Sequence, residues 1–411
     1  MSARAESADL RSGWARVRGP RAIGIFGIAL GALSFWLTLP PAQERNLAIP
    51  VAVGIIGVAA GIWAVARNER RVGWGAVDAG ILGIVGGILA TRSSTEHLHV
   101  VVFWGALATA TLRWATPLTF AAIGGMFSER SGVVNIGLEG MMLMGAFFGA
   151  LGADKTNSWE GGLVIAMVAG GALALVHAFF SIHLRADQIV GGTAINFLAL
   201  GITGYLYVNV YGERGTPTDL PSIPDVNIGW LQHVPPHGLG SFLDNAFGQM
   251  NLMVWLMFPL LIVSYIVMFK TPIGLRIRSV GEHPRAADTV GISVYGVRYT
   301  AVVVSGILAA LGGAYLSIGF VHSFSEGMTN GRGFIALAAL IFGGWRPFGA
   351  FGAALLFGFS SALALRLPDA YGSSAGTLFQ ALPYVLTLIA VAGVIGRSIP
   401  PAAIGRPYKK Q

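Results

Sequence analysis

Apolar stretches recur along almost the whole chain, at 22–39, 47–66, 74–90, 100–121, 133–152, 161–182, 189–211, 252–269, 299–320, 334–344, 348–365 and 378–395. All except 334–344 approach the ~20 residues that a helix needs to cross a hydrocarbon core of ~30 Å. Short polar turns separate most of them, with two longer exceptions at 212–250 and 270–298. Backbone groups in lipid must satisfy one another within each segment, so the pattern predicts an all-α polytopic membrane protein with about 12 transmembrane helices.

Charge orients these segments. Of the 27 Lys and Arg residues, Arg45, Arg92, Lys155, Arg214, Arg332 and Arg366 fall on the predicted outside and Arg113 falls within a span. The others lie on loops and tails that the positive-inside tendency assigns to the cytoplasm. An even number of crossings then places both termini there. The loop 270–298 concentrates the bias, with Lys270, Arg276, Arg278, Arg285 and Arg298 against Glu282 and Asp288. Pro272 and Pro284 break it, and PRAADTVG (284–291) predicts a short helix opened by its proline. The loop 212–250 is rich in Pro and Gly and acidic through Glu213, Asp219, Asp225 and Asp244. On the predicted outside, it reads either as a solvated loop or as a surface for an extracytoplasmic partner.

Composition agrees. Hydrophobic residues make up 54% and charged residues 11%, with a mean hydropathy of +0.67, whereas soluble domains carry about a quarter charged residues. The 58 glycines, about twice the usual share, suit helices that pack closely through small residues. With no cysteine, disulfides and thiolate metal sites are excluded. The net charge of +8 follows from topology, so no nucleic-acid partner is needed. The first apolar segment is long and lacks a small-residue cleavage site, so a cleavable signal peptide is not expected.

The four spans from 100 to 211 begin outside and the four from 299 to 395 begin inside, with 252–269 reversing the sense between them. FSERSGVVNIGLEG (127–140) and FSEGMTNGRGFIALAA (324–339) each follow a first span and lead into a Gly-rich second one. An inverted repeat is expected, with a substrate path at the junction of its halves.

Several words identify a family. ERSGVVNIGLEG (129–140), ADQIVGGTAINFLALG (186–201), GLRIRSVGEHPRAADTVGI (274–292), GRGFIALAALIFGGW (331–345) and LPYVLTLI (382–389) resemble the nucleoside and simple-sugar branch of the branched-chain amino acid/sugar permeases of ABC importers. The likeness runs from about Thr109 to Tyr408. It implies an ABC-importer permease domain at 100–411, in a prokaryotic cytoplasmic (inner) membrane, with a coupling loop at 270–298. Residues 1–99 have no counterpart in the pattern and read as an extension with three spans. The resemblance further implies an ATP-binding subunit, which carries ATP and Mg and docks on Gly281, Glu282, His283, Arg285, Ala286, Ala287 and Gly291. Two alanines followed after three residues by glycine resemble the coupling motif of such permeases; Arg285 stands where that motif often has Glu. A second related permease, forming a heterodimer, and an extracytoplasmic substrate-binding protein complete the assembly. The implied cargo is nucleosides, with simple sugars as the alternative.

Ionisable side chains inside spans cost at least ~2.5–3.5 kcal/mol on insertion scales and need partners. Arg113 and Glu139 fall at similar predicted depth, from a rise of ~1.5 Å per residue, so an ion pair between them is expected, either structural or lining the substrate pathway. Asn135 and Glu139 at i and i+4, and Thr193 and Asn196 at i and i+3, are expected to share helical faces. Their amides and hydroxyls suit a ribose, a hexose or a nucleobase edge, or equally bonds between helices. Asn330 and Arg332 are weaker candidates at the outer mouth. Asp78, near a helix end, reads as snorkelling, and His177 as interfacial.

No G-x-x-x-x-G-K-[ST] frame surrounds Lys155, Lys270, Lys409 or Lys410, so the chain needs a partner to use ATP and binds no cofactor of its own. An ion-coupled secondary transporter is the competing class, and Glu139 is its best coupling carboxylate. An intramembrane enzyme finds no support: GFSSA (358–362) lacks the G-x-S-x-G frame, and His177 and His183 lack a metal-ligating companion.

Overall fold

A computed structural model describes residues 19–37, 48–92, 104–212, 215–217, 219–233, 243–371 and 399–410. The chain forms two compact units, Met1–Trp104 and Gly105–Gln411.

In the first unit, α1 (Pro20–Leu37), α2 (Ala48–Ala66) and α3 (Arg70–Arg92) pack pairwise into a three-helix bundle. Small residues make this possible: a Cβ on Gly31 would overlap the carbonyl carbon of Ala79, so α1 and α3 meet backbone to backbone. The buried Ser34 hydroxyl donates to the Pro50 carbonyl at 2.8 Å. Asp78, expected near a helix end, stands in the interior of α3 with an exposed side chain.

The second unit comprises α4 (Trp104–Arg130), α5 (Leu138–Thr156), α6 (Trp159–Ala178), α7 (Gln188–Tyr211), α8 (Leu252–Lys270), α9 (Pro272–Glu282), α10 (Pro284–Thr289), α11 (Val294–Ala314), α12 (Arg332–Phe342) and α13 (Pro347–Tyr371). Polar caps set many starts: Ser158 opens α6, Asp187 α7, Asn251 α8, Thr271 α9 and Ser293 α11, each accepting a backbone N–H of the first turn. Proline stands in the first turn of α9 and of α10, the latter matching the helix expected at 284–291.

Burial sorts the helices. The most apolar part of Val294–Val321 is 78% buried, whereas that of Gln188–Tyr211 is 22% buried, so α11 lies inside the unit and α7 at its edge. Glycines again set the contacts: a Cβ on Gly313 would overlap the Met142 carbonyl oxygen, and one on Gly124 would lie 2.6 Å from the Ser305 carbonyl oxygen. These approaches bind α11 to α5 and α4.

Among the described residues, Ala48–Ala66, Trp159–His183, Gln188–Tyr211, Leu252–Lys270, Val294–Val321 and Pro347–Leu365 are long and apolar enough to cross a membrane. The predicted span 378–395 lies outside the described residues. The span expected from 133 starts late, at Leu138, because Gly132 turns the chain at φ +91° and 133–137 is irregular. Within the loop 212–250, a strand β1 (Asp225–Asn227) pairs antiparallel with β2 (Gln249–Asn251), Asp225 opposite Asn251. The buried Asn251 amide donates to the carbonyls of Ile223 (2.8 Å) and Gly319 (3.2 Å) and fixes the strands to the π-helical turn after α11.

Candidate functional site

The two candidate regions lie at opposite ends of α4. About 17 residues separate Arg113 from Arg130, some ~25 Å along the helix axis.

At the first end, a cavity of about 670 Å³ opens among Thr109, Arg113, Trp114, Asn227, Asn245 and Gln249. The Arg113 guanidinium points toward the Gln249 carbonyl at 3.4 Å, and the Thr109 hydroxyl donates to the Asn245 carbonyl at 2.5 Å. Trp114 meets the edge of Phe320 at 5.3 Å, and the Arg332 guanidinium stands 4.9 Å over its ring. The lining mixes amides, a cation, the Asp244 carboxylate and an aromatic face, chemistry that suits a polar ring with hydroxyl groups.

The expected Arg113–Glu139 ion pair does not form. Glu139 accepts the backbone N–H of Gly331 at 2.8 Å and of Gly333 at 2.6 Å, so its carboxylate caps the start of α12 from a neighbouring helix. The depth estimate fails because α5 begins five residues later than the apolar pattern suggests. For the same reason Asn135 is not helical and shares no helical face with Glu139. Asn135 is fully buried and donates to Ser305 at 2.9 Å.

Thr193 and Asn196 stand three residues apart on α7, as the i and i+3 spacing predicts. Thr193 is exposed and bonds its own Ile189 carbonyl; Asn196 accepts from Gly140 N at 2.8 Å and donates to the Ile136 carbonyl at 3.0 Å, stitching α7 to the start of α5. Asn330 is exposed in a left-handed turn at φ +43°. His177, expected at the interface, is fully buried with Nε2 3.1 Å from the Val134 carbonyl.

At the other end of α4 stand α9 and α10. Glu282, His283, Arg285 and Ala286 are exposed, and Gly291 is exposed at φ +82°. Gly281 and Ala287 are not available to a partner. A Cβ on Gly281 would overlap the Arg130 carbonyl oxygen, and Ala287, on the buried face of α10, packs with Val280, Val294 and Tyr408. An apolar groove of about 710 Å³, walled by Ile273, Ile277, Val290 and Ile292, runs beside α10. Arg130 donates to the Trp345 carbonyl at 3.0 and 3.1 Å, and the Trp345 indole donates to the buried Glu129 carboxylate at 2.5 Å.

Sequence reasoning named Arg332 but missed Trp114, over whose ring it stands, and missed Glu129 with Trp345 and Arg298. The word ERSG holds Glu129, and a carboxylate beside an arginine at a span end was the available signal. Nothing local marks Arg298, which reads as one more loop cation until the fold buries it.

A helical, multi-pass membrane protein with these features is a transporter permease in class. The family model described as "Branched-chain amino acid transport system / permease component" matches residues 107–391, and the chain belongs to that family. The chain is 43% identical over 324 residues to the guanosine ABC transporter permease protein NupQ of Bacillus subtilis, covering 76% of this chain and 99% of that one. It is 38% identical over 308 residues to the nucleoside ABC transporter permease protein NupC of Lactococcus lactis, covering 73% and 95%. TsgC13 of Haloferax volcanii, named for glucose ABC transport, is 37% identical over 264 residues, covering 64% and 78%. No solved structure matches the chain.

Proposed function

We propose that this chain is the membrane-spanning permease subunit of an ATP-driven importer of nucleosides. The observation that carries the reading is likeness to NupQ over nearly that protein's entire length. Nucleotide hydrolysis belongs to a separate ATP-binding subunit holding ATP and Mg, seated on the exposed residues of α10 and the groove beside it. This chain binds no cofactor itself. A second, related permease completes the pore; B. subtilis has two guanosine permeases that resemble this chain, NupQ and NupP. An extracytoplasmic binding protein delivers the solute.

In this reading the chain crosses the membrane twelve times with both termini in the cytoplasm, and its permease region is an inverted repeat. The polar cavity around Arg113 and Trp114 then faces outward and forms part of the solute path, with Asn330 near its mouth. Closure of the ATPase moves α9 and α10, and α4 carries the displacement toward the cavity.

Uptake competition tests the cargo. Cells that import labelled guanosine through the assembled complex are expected to lose uptake when unlabelled nucleosides are added and to keep it with excess glucose. Glucose competition with no nucleoside effect would favour the sugar reading that the likeness to TsgC13 supports.

A further inference from the structure

We propose that residues 399–410 are a strap that ties α9 and α10 to the end of α4, with Arg298 as its positioning residue. The segment crosses between two separate places in the chain. Ala403 N–H donates to the Gly281 carbonyl at 2.9 Å and Gly405 N–H to the Gly132 carbonyl at 3.1 Å. The Glu282 carboxylate accepts Ala402 N–H at 3.1 Å. The strap therefore holds the last turn of α9 and the turn after α4 at once. Its far end is anchored by Tyr408, which is buried with Val280, Ala287 and Val294 and meets the Tyr295 ring edge-on at 5.7 Å.

Arg298 fixes the middle. Its side chain is 1% exposed, yet no carboxylate pairs with it among the described residues. Its Nε donates to the Ser131 carbonyl at 3.2 Å and its Nη1 to the Arg406 carbonyl at 3.2 Å. A buried cation solvated only by carbonyls is costly to hold and depends on its surroundings. Releasing the strap removes one of those carbonyls, so Arg298 locks it to the turn at Ser131. The Gly281 backbone rests directly on the Arg130 carbonyl, which completes a rigid unit of α9, the strap and the end of α4. A push on α10 then reaches α4, and through Arg130 the turn at Trp345, without slack.

The strap itself is testable on the purified chain in detergent, without any partner. Deleting residues 399–411 is expected to raise amide exchange at Ala287 and Gly291 at least tenfold, while exchange in α5 and α11 stays unchanged. Unchanged exchange at α10 would overturn the proposal. Its mechanical role rests on the importer reading and uses the whole complex in proteoliposomes. Because the chain lacks cysteine, Tyr408→Cys with Tyr295→Cys, whose rings stand 5.7 Å apart, can be joined by a short thiol cross-linker that replaces the anchor. The cross-linked complex is expected to keep uptake per ATP within twofold of the wild-type complex, and the deletion to lose it tenfold or more while hydrolysis continues. Loss of uptake on cross-linking, with hydrolysis intact, would show that the segment must release and contradict a strap. A wild-type complex that shows no ATP-driven uptake at all would count against the importer reading and leave the exchange result to decide the strap.

Discussion

The Glu139 carboxylate on α5 accepts the Gly333 N–H at 2.6 Å, at the first turn of α12. A Cβ on Gly333 would overlap the Glu139 backbone, so the cap requires both residues. Both Glu139 oxygens accept a backbone N–H, from Gly331 and Gly333, so Glu139→Gln keeps one acceptor, turns an NH2 toward the other N–H and loses the charge that favours a helix N-terminus, with an expected cost of about 1–3 kcal/mol. Thermal unfolding of the purified chain in detergent checks this, and Gly333→Ala is expected to destabilise at least as much.

Arg113 and Glu139 act separately. Arg113→Glu is expected to reduce uptake at least fivefold through the cavity, and combining it with Glu139→Arg to rescue nothing. Uptake measured for both single variants and the double swap decides the point; recovery in the double swap would restore the ion pair.

Glycine contacts define where the helices touch. Gly313→Ala presses a methyl into the Met142 carbonyl and is expected to cost about 1–3 kcal/mol, as overpacking usually does. Gly191 lies within α7 with nothing inside 4 Å of an added Cβ, so Gly191→Ala is expected to hold or slightly raise the melting temperature. Fluorescence-detected size exclusion after graded heating compares the two.

Trp345→Phe leaves the buried Glu129 carboxylate one donor short, with an expected loss of about 1–3 kcal/mol. A double-mutant cycle with Glu129→Gln is expected to return a coupling of about 1 kcal/mol or more. Independent effects would mean that the indole bond contributes little.

Much of this was legible in the sequence, for identifiable reasons. Helices in lipid announce themselves by length and hydropathy, so α2, α6, α7 and α8 fall where the apolar stretches lie. The helix at Pro284 was legible because proline and the following residues act locally. Polar partners were not, since they depend on where helices begin. The late start of α5 at Leu138 moved Asn135 off the helix and turned Glu139 toward α12. In the same way Ala287 and Gly281 share a motif with Ala286 but face inward, because residues 399–410, more than a hundred positions away in sequence, fold beneath α10. Arg298 shows the limit most plainly: its neighbours in sequence are those of a charged loop, and only tertiary contacts bury it.

Under the proposed function, energy enters at α10 from an ATP-hydrolysing partner. Uptake of labelled guanosine into proteoliposomes holding the full complex, with ATP supplied and no ion gradient, tests this most directly. Accumulation with ATP, abolished when the partner is made unable to hydrolyse it, is the predicted result. Accumulation driven by a proton or sodium gradient in the absence of ATP would contradict it.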